Sequence, residues 1–127
     1  MDDSSDVHVV NVQDEGQSCG LDVIQTTSGL GPTTLALTVN KSVAIQVSAS
    51  VEVKAAVISA GIGFSVTDQT SVTSSRTDNV PAGKFEQLDA MTLYQNYSFD
   101  IAGGKTGSGL VRKPVGVCFA AYDPAGK

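Results

Sequence analysis

Tryptophan is absent, histidine occurs once, at His8, and cysteine occurs only as Cys19 and Cys118. A hydrolase of the triad type needs a base held against its nucleophile, and a lone histidine among N-terminal acids is a poor source of one. The cysteines stand too far apart for a CxxC redox or zinc motif. Lysine and arginine are missing from residues 1–40, which carry Asp2, Asp3, Asp6, Asp14, Glu15 and Asp22. All eight bases and the other seven of the thirteen acids lie in residues 41–127. The net charge of −5 is therefore an N-terminal property, and no basic face is available for nucleic acid. No apolar run approaches the roughly 18 residues of a membrane-spanning helix. Acids follow Met1 directly, without the basic and apolar regions of a signal peptide. The expectation is a processed, secreted chain carrying a start codon.

What the chain has in quantity is alternation. From Ser42 to Val57, Val43, Ile45, Val47, Ala49, Val51, Val53, Ala55 and Val57 share one parity, and Ala44, Gln46, Ser48, Ser50, Glu52, Lys54 and Ala56 share the other. Period two defines a strand with one apolar face. At about 3.3 Å per residue such a strand would span on the order of 50 Å. The parity flips at Val57–Ile58, after which Ile58, Ala60, Ile62, Phe64 and Val66 take over. A bulge or a hairpin turn is expected there, with Gly61 and Gly63 permitting close backbone approach. A short helical turn over Ala55–Ala60 is the less favoured reading.

Elsewhere, short strands are expected at Val7–Val12 and Leu21–Ile24, and further ones at Thr33–Val39, over the polar run Thr67–Asn79, at Phe85–Ile101 and at Val115–Ala121. Thr26–Pro32, Val80–Lys84 and Gly103–Gly109 read as loops or turns from their glycines and prolines. Tyr94, Tyr97 and Phe99 read as core. Cys19 and Cys118 read as a disulfide, with two buried thiols as the alternative. If formed, the bridge closes a loop of roughly 100 residues and persists in an oxidising compartment. The abundance of Ser, Thr and Gly and the low charge also fit a secreted chain.

Constellations for chemistry are sparse. Glu86 and Asp89, at i and i+3 on a strand, fall on opposite faces and form no acid/base pair. Gly104-Lys105-Thr106 has the lettering of a phosphate loop, but position 99 is Phe where that loop needs Gly, and a strand follows instead of a helix. Gly61-Ile62-Gly63 lacks the third glycine and the helix of a dinucleotide fingerprint. Asn40-Lys41-Ser42 and Asn96-Tyr97-Ser98 match the glycosylation sequon, a pattern common by chance. No cofactor and no metal site is expected, and the chain reads as non-enzymatic.

The segments Ala60–Thr67, Val80-Pro81-Ala82-Gly83-Lys84, Tyr94–Asp100 and Lys113–Phe119 resemble small secreted bacterial β-proteins that serve as the adaptor subunit of umbrella toxin particles, and more weakly the aerolysin-like pore-forming proteins. The likeness covers residues 40–120. It implies a subunit that links larger proteins of a secreted antibacterial toxin complex. The aerolysin resemblance implies an alternative, in which a hairpin around residues 43–66 enters a membrane with an apolar row toward lipid. A sandwich strand packed on a core shows the same row.

These readings combine into an all-β chain: an elongated antiparallel β-sandwich with long strands, one disulfide and no significant helix. An acidic, flexible arm spans 1–15, a single β-domain 16–123 and a tail 124–127. The arm is the expected docking element for other protein subunits. Val7, Val9, Val10 and Val12 would anchor it, and Asp2, Asp3 and Asp6, with His8, would steer it.

Overall fold

The computed structural model describes residues 6–124. Its elements are β1 (His8–Leu30), β2 (Thr33–Ala44), β3 (Gln46–Ala49), α1 (Ala55–Ile62), β4 (Gln69–Val80), β5 (Phe85–Ala102) and β6 (Gly107–Tyr122). One sheet has the order β1-β5-β6-β3 and a second pairs β2 with β4. Both are antiparallel, and the fold is all-β with a sandwich-like arrangement. The described residues divide into two compact units, one from residues 6–18, 44–70 and 95–114, the other from 19–43, 71–94 and 115–124.

In the first unit, Tyr97, Phe99 and Ile101 alternate along β5, and Phe99, Ile101 and Val111 are buried with Val7, Ile58 and Val66. β3 pairs β6 with Val47 opposite Val111 and Gln46 opposite Arg112. Burial of this apolar face is the main favourable term, at about 25 cal/mol per Å². The helix α1 replaces the strand expected through Val57. β2 stops at Ala44, β3 holds only four residues, and the chain turns helical at Ala55. The hairpin or bulge expected at Val57–Ile58 is absent, because these residues lie inside α1. Alanines at 55, 56 and 60 favour helix, and Ile58 with Ile62, one turn apart, faces the core beside Val51, Val53 and Phe64. Gly63 ends the helix at φ 97°, its N–H donating to the Ser59 carbonyl at 3.0 Å, the left-handed cap that glycine supplies. Gly61 lets the helix approach β1: a Cβ there would lie 2.5 Å from Val9 Cβ.

In the second unit, Leu35, Leu37 and Val39 of β2, Val80 of β4, and Leu88 and Ala90 of β5 form one buried cluster, with Ile24, Val117 and Phe119 against it. The alternation expected at Thr33–Val39 and the polar strand ahead of Val80 are found here. Val80–Lys84 is a turn, with Gly83 at φ 81° and the Lys84 N–H donating to the Pro81 carbonyl at 3.2 Å. Tyr94 is buried. Cys19 and Cys118 are bonded, with Cα atoms 6.0 Å apart. The two short strands expected near the N-terminus are a single strand, β1, of 23 residues. Asn11 at φ 55° and Gly16 at φ 83° interrupt its regular geometry, and such positions take up extra residues as bulges. The strand expected at Val115–Ala121 begins earlier, at Gly107.

Candidate interaction surface

Residues 8–15 of the segment read as an arm are the start of β1. Asp2 and Asp3 lie outside the described residues. Asp6 is exposed, and its carbonyl lies 2.7 Å from His8 Nδ1. Val7 is buried in the first unit's core, and Val9 packs against that core from a half-buried position. Val10 is half-buried and Val12 is 39 % exposed. Val7 and Val9 thus share the parity that faces the core, and Val10 and Val12 the other, as period two gives.

Around Val7 the first unit has an open hollow of about 390 Å³, walled by Val9, Ala56, Val57, Ala60 and Gly61 with His8 at its side. A smaller one, of about 200 Å³, adjoins Val7 and Val57 and carries Glu52, Lys54 and Lys105. Neither gathers the groups of a catalytic site. Among the described residues no three His, Cys, Asp or Glu side chains converge to hold a metal ion.

A buried carboxyl of the second unit is that of Asp89, 5 % exposed. Thr26 Oγ1 donates to it at 2.6 Å, Gln87 Nε2 at 2.9 Å and the Tyr122 hydroxyl at 2.8 Å. The bonds from Thr26 and then Gln87 hold its carboxyl below the ordinary 3.8 against the opposing effect of burial, and Tyr122 adds to the lowering. The same bond, with burial and the Asp89 charge, pushes the Tyr122 phenol up. Three donors favour the ionised form of the carboxyl, and the cluster fastens β1, β5 and β6 to one another.

A third feature is the surface of β1 itself. It is the terminal strand of its sheet, so one edge carries no strand of this chain among the described residues. Residues 17–19 and 21–23 are exposed and Gly20 is intermediate. Leu21 is 97 % exposed and Val23 49 %. Sequence reading placed Leu21–Ile24 on a strand but did not single it out for contact, because a short alternating run looks the same whether its apolar side meets a core or solvent. The usable signal was the absence of Lys, Arg and Pro across all of β1, which are residues that proteins place on exposed edges to block pairing.

Neither a known protein family nor a curated protein matches the chain.

Proposed function

We propose that the chain is a non-enzymatic adaptor: a secreted subunit of a bacterial toxin complex that joins larger polypeptides through its first strand. The observation that carries this reading is the exposed apolar pair Leu21 and Val23 on the terminal strand of a sheet. Large apolar side chains left in water on an open edge mark protein contact surfaces. The disulfide fits an oxidising, extracellular setting, and the motifs from Ala60 to Phe119 support the toxin-adaptor assignment. In this reading Asp6, His8, Val10 and Val12 are further contact residues, belonging to the first unit, with Asp2 and Asp3 as further acids, while Val7 and Val9 serve the core.

The segment proposed to cross a membrane in the aerolysin-like alternative, residues 43–66, holds the end of β2, the four-residue β3 and α1 with the stretches that join and follow them, and its Val51, Val53, Val57, Ile58, Ile62, Phe64 and Val66 pack in the first unit's core. No observation favours that alternative.

The test is affinity capture from the native secreted fraction with the tagged, oxidised chain. Stoichiometric recovery of larger secreted polypeptides is expected. Recovery of the chain alone, or of a ring of itself, would overturn the adaptor reading.

A further inference from the structure

We infer that the two hollows around Val7 in the first unit form one binding site for a free, medium-length fatty acid, its tail against Val9, Ala56 and Ala60 and its carboxylate between Lys54 and Lys105. The inference does not rest on the adaptor reading.

Three observations carry it. The first is shape. The larger hollow, of about 390 Å³, falls within the roughly 300–1,000 Å³ of small-molecule sites. It lies between the start of β1 and α1, both within one compact unit. Ala56 and Ala60, one turn apart on α1, leave its helical wall low, and Gly61 brings that wall against Val9. The second is the division of polarity. Apart from His8, whose Nδ1 lies 2.7 Å from the Asp6 carbonyl oxygen, the walls of the larger hollow are Val, Ala and Gly. The smaller one, of about 200 Å³, shares Val7 and Val57 with it and adds Glu52, Lys54 and Lys105. An apolar end thus meets a charged end at those two valines. An amphiphile matches this layout, whereas a plain hydrocarbon leaves the lysines without an anion and a polar solute leaves the apolar end uncovered.

The third is charge. Lys105 Nζ donates to the Glu52 backbone carbonyl at 2.7 Å. An ammonium has three donors, so this one is fixed at the charged end with two to spare. Among the described residues Lys54 makes no side-chain hydrogen bond, and neither lysine is ion-paired with the Glu52 carboxylate. Two ammonium groups against one carboxylate leave this end net positive in a chain whose net charge is −5. The head that fits is therefore an anion, and a carboxylate accepts charge-assisted hydrogen bonds from both lysines. The anchoring of Lys105 on the Glu52 carbonyl reduces the ordering that binding has to impose.

The test titrates the purified, oxidised chain with sodium dodecanoate below its micelle concentration, followed by calorimetry and by methyl and amide resonances. One dodecanoate per chain is expected, shifting the signals of Val9, Ala56, Val57 and Ala60. Hexanoate should bind about tenfold or more weakly, having fewer methylenes to bury, and dodecyltrimethylammonium likewise, having the wrong charge. Lys54→Gln with Lys105→Gln should weaken dodecanoate about tenfold or more, and Glu52→Gln should tighten it several-fold. Ala56→Leu should abolish binding by filling the hollow. All four side chains are exposed, so each variant should keep the wild-type unfolding midpoint, which is measured alongside. Equal binding of the cationic amphiphile, indifference to the lysine pair or to Ala56→Leu in folded variants, shifts elsewhere only, attachment to anionic phospholipid vesicles without binding of the free acid, or no saturable binding would each overturn the inference. Partner capture by the wild-type chain does not depend on this outcome.

Discussion

The Tyr122 hydroxyl, on the last residue of β6, donates to the buried Asp89 carboxylate of β5 at 2.8 Å. Thr26 of β1 donates to the same carboxylate, so one charge gathers three strands. Buried charges are tolerated when they are fully hydrogen-bonded, and removing such an acceptor strands its donors.

Asp89→Asn should therefore destabilise the protein by about 1–3 kcal/mol, read as a lower urea midpoint with an unchanged slope. The sign of the pH dependence follows from the lowered carboxyl. Its stabilisation is complete above the unfolded-state value, near pH 4, and drains away as pH falls through the lower folded-state value. The wild-type chain should lose stability on acidification in that window more steeply than Asp89→Asn. Parallel acid profiles would contradict this role.

Gly61→Ala weighs two opposed effects. In a helix, alanine gains about 0.5–1 kcal/mol over glycine. Here its Cβ would meet Val9 Cβ at 2.5 Å and Cγ1 at 2.8 Å, and overpacking costs about 1–3 kcal/mol. The clash involves atoms close to the β1 backbone, which cannot swing aside, so a net loss of stability is expected in thermal or urea unfolding. A more stable variant would mean that α1 does not press on β1.

Reduction of Cys19–Cys118, or the double change to serine, releases a loop with a sequence separation of 99. Chain entropy puts the loss at about 4–5 kcal/mol, a large share of the roughly 5–15 kcal/mol typical of a domain. The unfolding midpoint should fall steeply on adding reductant. An unchanged midpoint would assign the disulfide no stabilising role.

Val7→Ala and Val12→Ser separate the inward and outward faces of the N-terminal segment. Val7 is 8 % exposed and Val12 39 %. The first change should cost roughly 1.5–2.5 kcal/mol, the second no more than about 0.5 kcal/mol. Equal costs would contradict the placement of Val7 in the core.

Much of the fold is legible in the residues. The alternation Leu35, Leu37, Val39 fixes the buried face of β2, the Val80–Lys84 turn follows from Pro81 and Gly83, and Cys19 and Cys118 pair. The helix is less legible, since Val51, Val53 and Val57 keep strand parity into its first turn. Ala-rich composition and Gly63, one residue past its end, were the available signs. The division of Val7 from Val12 follows their opposite parity, but which of the two faces meets the core depends on long-range packing against Ile58, Phe99 and Ile101. Of the contact surface, the missing bases of β1 were visible in the sequence. The exposure of Leu21 depends on which strand ends the sheet, which only the long-range pairing of β1 with β5 decides.

The most direct measurement compares the wild-type chain with a Leu21→Ser, Asp22→Lys double variant as tagged bait in the native secreted fraction, in moles of partner recovered per mole of bait. The adaptor account with β1 as its contact strand predicts near-stoichiometric recovery of a larger polypeptide by the folded wild-type chain and at least tenfold less by the equally folded variant. Equal recovery by both baits, or no partner with either, would contradict it.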